Sequence, residues 1–184
     1  MTDDPLSIAR SLGAVFDRIG ISWAVGGSMA SSVHGLPRTT QDLDLVAALT
    51  PNAGMTLATE AVGFSVDGES LRDAIRAGRS YNVFHEATMT KVDLFPAVGR
   101  FERNQLTRAR KFSGIPIVAA EDSILAKLRW FRLGEEVSER QWRDVLGVMD
   151  VQRGRLDEAH LDQWAAELGI VDLLARARAE SART

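Results

Sequence analysis

The chain contains no cysteine, which excludes disulfides, zinc–thiolate centres and thiol nucleophiles. It has no apolar run near the ~20 residues that a membrane-spanning helix requires, so no membrane partner is expected. It has little excess charge. Twenty-two basic and 25 acidic residues leave a net charge of -3, too acidic for the whole chain to bind nucleic acid by charge alone. Lysine is scarce: only Lys91, Lys111 and Lys127 stand among the 22 basic residues. Repeats and low-complexity segments are absent. The start, Met1-Thr2-Asp3-Asp4-Pro5, lacks the basic region and apolar stretch of a signal peptide, and a cytoplasmic location is expected.

What is present is the composition of a folded domain. Of 184 residues, 45% are hydrophobic and 26% charged, close to the average for soluble proteins. A chain this long buries roughly 70% of its unfolded surface, enough for a core without staples. Asp4-Pro5 reads as a helix cap followed by proline at the first helical position. Leu6, Ile8, Ala9, Leu12, Val15, Phe16 and Ile19 then recur at helical spacing until Gly20. Residues 21–25 read as a strand, 29–33 as a short helix and 42–47 as a second strand. Thr50-Pro51 repeats the cap-plus-proline signal for a helix to about 61. A short helix over 71–77 precedes two strands, 81–85 and 90–95, around a turn at Glu86-Ala87. Ile115-Pro116-Ile117-Val118 reads as an edge strand, because proline cannot donate to a central ladder.

Beyond 119 the pattern is helical: 121–133, then a capped helix from Ser138 to about 151, then 157–168 and 170–183. The expectation is an α/β (α+β) protein with a small mixed sheet flanked by helices, residues 1–119, followed by a helical subdomain, residues 120–184. Trp130, Trp142 and Trp164 are expected in the helical core. The stretch from Arg100 to Lys111 carries five basic groups against Glu102; it reads as a solvated strand face, with binding of RNA or another polyanion as the alternative.

The most informative stretch is Asp42-Leu43-Asp44. On a strand, alternate side chains share a face, so both carboxylates point one way while Leu43 and Leu45 point to the core. Their Cα atoms stand about 6.6 Å apart at ~3.3 Å of rise per residue. Two such charges repel by roughly 2.5 kcal/mol at an effective dielectric of ~20. A hard divalent cation reverses that sign, and Mg²⁺ characteristically takes one or two carboxylates together with substrate phosphates. Gly26-Gly27-Ser28 lies between a strand and a helix, where backbone amides can approach a phosphate closely. Asp93 is a third acid, set among apolar neighbours in a strand where a charge is costly unless it meets a cleft, a cation or solvent.

Val25-Gly26-Gly27-Ser28, Asp42-Leu43-Asp44-Leu45 after thirteen intervening residues, and Asp93 together resemble the nucleotidyltransferase superfamily with the DNA polymerase β-like palm. A narrower resemblance, over about 21–151, is to the short bacterial nucleotidyltransferase-like proteins of abortive-infection and type IV toxin–antitoxin systems. It rests on Arg38-Thr39-Thr40-Gln41 ahead of the Asp pair, on Lys127 in the first helix after the sheet, and on Arg143-Asp144 in the next. That group often has another Asp three residues after the pair, where this chain has Gly147.

The resemblance implies transfer of a nucleoside monophosphate from an NTP to an acceptor hydroxyl. Asp42 and Asp44 would hold two Mg²⁺ ions, and Asp93 would ligate the metal nearer the acceptor and help remove its proton. Gly26, Gly27 and Ser28 would cradle the triphosphate, with Lys127 and Arg38 neutralising its charge. The acceptor stays open between tRNA, protein and a small molecule such as an aminoglycoside, and a cognate antitoxin is an implied partner. The alternative is a non-catalytic nucleotide-binding or protein-interaction module on the same fold.

Overall fold

The computed structural model describes residues 4–40 and 42–182. Gln41, the acidic start at Met1–Asp3 and the expected helix end at Arg183 lie outside the described residues. The elements run α1 (Pro5–Arg18), β1 (Trp23–Val25), α2 (Gly27–His34), β2 (Leu43–Ala47), α3 (Pro51–Glu60), β3 (Phe64–Ser65), α4 (Gly68–Arg76), β4 (Tyr81–His85) and β5 (Thr90–Pro96). They continue with α5 (Arg100–Arg108), β6 (Arg110–Phe112), β7 (Ile115–Ile117), α6 (Ala120–Leu133), α7 (Glu139–Val151), α8 (Glu158–Leu168) and α9 (Val171–Ser181).

The chain forms two compact units, one from residues 1–26 and 40–118, the other from 27–39 and 119–184. Residues 27–39 therefore group with the C-terminal helices, and the units are not contiguous in sequence, unlike the single division after 119 read from the sequence.

The first unit is built on a seven-stranded mixed sheet in the order β3-β4-β5-β2-β1-β7-β6. β2 runs parallel to β5 and antiparallel to β1. α1 starts where the cap signal placed it, with the Asp4 side chain accepting from Leu6 N. Its stripe of Ile8, Leu12, Val15 and Phe16 is buried, and the helix packs on β1, β2 and β7. Thr50 caps α3 in the same way, accepting from Ala53 N. Leu43, Leu45, Val92 and Leu94 are fully buried, so one face of β2 and β5 belongs to the core.

Two expectations fail in this unit. The strand containing Pro116 is not an edge, because β6 pairs with it antiparallel, with Lys111 opposite Pro116. Among the described residues, β7 is registered on β1 through the pair Val25–Ile117, with Val118 N donating to the Val25 carbonyl, so the missing donor of Pro116 is tolerated. The basic stretch is not one strand face either. Most of it is α5, which buries Phe101 and Gln105 and leads into the exposed strand β6.

In the second unit, α6 packs against α2, α7, α8 and α9, and α7 against α2 and α9. Ile124, Leu125, Leu128 and Phe131 form the buried stripe of α6. Trp142 and Trp164 are buried as expected, but Trp130 is 50% exposed. It follows Leu128 by two residues and so falls off that helical stripe. Ser138 caps α7 by accepting from Gln141 N. Asp157 caps α8 through His160 N, whose side chain meets the fully buried Asp122 at 2.8 Å.

Candidate functional site

The three acids lie in the first unit. Asp44 on β2 stands in register with Asp93 on the parallel strand β5, and neighbouring strands run about 4.8 Å apart. Alternation places Asp42, Asp44 and Asp93 on one face of the sheet, opposite the buried leucines. Asp42, immediately before β2, is exposed, whereas Asp44 and Asp93 are half-buried. The glycine turn joins this arrangement through its backbone, with Gly26 N donating to the Asp44 carbonyl at 2.9 Å.

Asp93 is engaged at both of its oxygens. Lys91, two residues earlier and on the same face of β5, donates from Nζ to Asp93 Oδ2 at 2.8 Å. Asn82, in register with Asp93 on β4, donates to Oδ1. The hydrogen bond to Asp93 is the main cause that holds the Lys91 ammonium above the ordinary lysine range. Burial opposes it, and the charges of Asp93, Asp42 and Asp44 reinforce it. Neither Lys91 nor Asn82 was singled out from the sequence, although i, i+2 spacing on a strand was signal enough to find the lysine.

The donor set suits a hard divalent cation: it offers carboxylate oxygen alone, on one face, and already draws an ammonium to itself. As the side chains stand, no group of three or more His, Cys, Asp or Glu among the described residues is arranged to hold a metal ion. Asp93 would have to release Lys91 to join Asp42 and Asp44.

The cations and the first helix turn lie in the second unit. α2 begins at Gly27 with φ +54°, a left-handed conformation that glycine adopts without penalty. Its first amides have no intrahelical partner. The Ser28 hydroxyl receives Lys127 Nζ at 3.2 Å and also a hydrogen bond from Arg38 Nη2. Both cations converge on Asp144 of α7. Arg38 grips its two oxygens at 2.9 and 3.0 Å, and Lys127 donates at 2.8 Å. Burial works to raise the Asp144 pKa, but the hydrogen bonds from Arg38 and Lys127 prevail and hold it below the usual carboxylate value. Lys127 is only 8% exposed.

Close packing holds α2 against α7. A Cβ on Gly35 would come within 2.8 Å of Val148 N and 2.9 Å of the Gly147 carbonyl carbon. Gly147 itself lies beside Leu36. The structure thus gathers Asp42, Asp44 and Asp93 on one face in the first unit. It gathers Ser28, Arg38 and Lys127 around Asp144 in the second.

No protein-family model matches the sequence, and no curated protein matches it. Solved structures do match its fold. The antibiotic-resistance factor ANT(2'')-Ia, determined in solution, aligns over 100% of this chain and 98% of its own with TM-score 0.50 and 11% identity. An antigenic nucleotidyltransferase-like protein from Paracoccidioides brasiliensis aligns over 96% of this chain and 92% of its own with TM-score 0.56 and 16% identity. The chain has a nucleotidyltransferase-like fold.

Proposed function

We propose that the protein transfers a nucleoside monophosphate from an NTP to an acceptor hydroxyl. The observation that carries this reading is the register pair Asp44–Asp93 on parallel strands, with Asp42 on the same face. Three carboxylates on one face are costly to one another and gain a use when a polyphosphate arrives with its cation. The fold shared with ANT(2'')-Ia and the nucleotidyltransferase-like protein supports the reaction class.

Asp42 and Asp44, joined by Asp93 once Lys91 lets go, are the residues that would hold Mg²⁺. When bound, the ion supplies charge neutralisation and Lewis acidity at the triphosphate. Asp93 takes the proton of the acceptor hydroxyl as its oxygen bonds to the α-phosphorus. The bond from that phosphorus to the β-phosphate bridging oxygen breaks, and pyrophosphate leaves. Gly26 N is taken by the Asp44 carbonyl, so in the turn of Gly26, Gly27 and Ser28 it is the first amides of α2 and the Ser28 hydroxyl that would meet phosphate oxygens, and Lys127 and Arg38 would neutralise the charge that builds on the leaving group. For the last two this would require leaving Asp144, with which both pair.

That same contact favours a second reading, a nucleotide-binding module in which Asp144 keeps the cations from catalysis. A role as the toxin-like member of a toxin–antitoxin or phage-defence pair is the finer proposal. Its support is the sequence resemblance at Arg38–Gln41, Lys127 and Arg143-Asp144.

The test is incubation with each α-labelled NTP and Mg²⁺ in the presence of tRNA, bulk protein or aminoglycosides. Label in one acceptor pool, lost on substituting Asp42 and Asp44 with asparagine, is the expected result. Nucleotide binding with no label in any pool would favour the binding module.

A further inference from the structure

Asp93 is proposed above to hold metal and to accept a proton, yet both of its oxygens are occupied by donors of this chain. Asn82 reaches Oδ1, and the Lys91 ammonium lies 2.8 Å from Oδ2. The lysine is not a distant residue that has drifted in. It shares the strand and the face of Asp93, two residues away, and residues at that spacing stay neighbours whatever the rest of the chain does. Its side chain is 41% exposed against 16% for Asp93, so the ammonium has solvent to swing into while the carboxylate stays in place.

The charges add up simply. Asp42, Asp44 and Asp93 carry three negative charges, and Lys91 returns one positive charge. The lysine stands on the face that Asp93 shares with the other two carboxylates, its ammonium 2.8 Å from Asp93 Oδ2. An ammonium and a divalent cation ask the same thing of Asp93, a share of a carboxylate oxygen, and they repel each other if both are present. They compete.

We propose that Lys91 is a built-in counter-cation of the carboxylate cluster, seated on Asp93 in the resting protein and displaced when a divalent cation is bound there. The inference rests on the metal-binding reading of Asp42, Asp44 and Asp93 and adds a residue to it. Lys91 offsets one of the cluster's negative charges when no nucleotide is present, lowers its affinity for free metal, and leaves Asp93 able to bind metal or proton only after the exchange. A lysine serving the strand as an ordinary surface ion pair would instead add a small increment of stability and leave metal affinity unaltered.

The experiment uses the full chain without nucleotide and Mn²⁺ as the probe, with free Mn²⁺ followed by electron paramagnetic resonance. Lys91→Met removes the charge and keeps the stem, Lys91→Arg keeps the charge, and Lys91→Met with Asp93→Asn removes the contested oxygen as well. Lys91→Met is expected to bind Mn²⁺ at least ~10-fold more tightly than the wild type, the effect of deleting a nearby like charge. Lys91→Arg should stay within about 2-fold of wild type, and the double substitution should lose the gain, since it depends on Asp93. Melting of each protein in EDTA verifies folding, and Lys91→Gln replaces Lys91→Met if that variant does not fold. Equal Mn²⁺ affinity in wild type and Lys91→Met would overturn the proposal and leave the metal site standing. An equal gain in Lys91→Arg would overturn it too. Absence of Mn²⁺ uptake by every protein, with NTP added as well, would remove the metal reading itself.

Discussion

Lys127 on α6 donates to Asp144 on α7 across 2.8 Å, with the two side chains 10% and 9% exposed. The carboxylate also carries Arg38, so one buried negative charge fixes two cations beside Ser28 and the start of α2. Breaking a buried pair from one side leaves a charge without a partner, at a cost of about 3–5 kcal/mol in the severest cases. Here Arg38 remains to answer Asp144, so the cost of Lys127→Met should fall below that range, at about 1–3 kcal/mol. Urea unfolding measures it, and NTP affinity should drop in the same variant. Full affinity with lowered stability would leave Lys127 a structural residue.

Asp144 also makes stability depend on pH. Its pKa is lowered in the folded chain, so its contribution is present above the ordinary carboxylate value of about 3.9. It is lost as the pH falls below that value and through the folded one. Asp144→Asn should therefore be less stable than wild type at pH 6, and the gap should narrow toward pH 3. A gap independent of pH, by urea midpoints at intervals over that range, would assign the loss to packing.

The paired substitution Asp42→Asn with Asp44→Asn should abolish nucleotidyl transfer and leave the fold intact. Removing two like charges from one face should raise the melting temperature in EDTA, or at least not lower it. Labelled-NTP transfer and thermal melting of the same preparations check both halves.

Asp93→Asn separates chemistry from binding. It should retain much of the Mg-NTP affinity measured by calorimetry while lowering single-turnover transfer by at least ~10², the scale of lost acid–base assistance. Such a split marks an interaction made chiefly in the transition state. Transfer at the wild-type rate would remove Asp93 from the reaction.

Gly35→Ala tests the packing of α2 on α7. The added methyl would meet the backbone of Gly147 and Val148, at distances under 3 Å, and backbone cannot rotate aside. A loss of about 1–3 kcal/mol is expected, measured by urea unfolding.

Much of this fold was legible because its signals are local. Asp4, Thr50 and Ser138 each accept from an amide two or three residues on, so the helices they cap start where a short window of sequence places them. The same holds for β4 and β5, whose two-residue alternation needs no distant partner to be seen. Alternation also places Asp42 and Asp44 on one face, since side-chain direction along a strand follows from backbone geometry alone. The helix α5 escaped notice because it buries only Phe101 and Gln105, too few apolar positions to show a helical period.

What the tertiary structure decided was every relation between residues far apart in the chain. β3 and β6, of two and three residues, exist as strands only through pairing with β4 and β7. The strand of Pro116 lies inside the sheet because β6 covers it. Parallel pairing of β2 with β5 sets Asp44 against Asp93 rather than one residue off, and antiparallel pairing of β4 with β5 brings Asn82 to the same carboxylate. The partners of Lys127, which are Ser28 and Asp144, come from other elements of the chain. A cap or an alternation is settled by bonds within one turn or one strand, whereas register and charge partnership depend on which segments of the chain pack together, and that is set by burying the apolar faces of all of them at once.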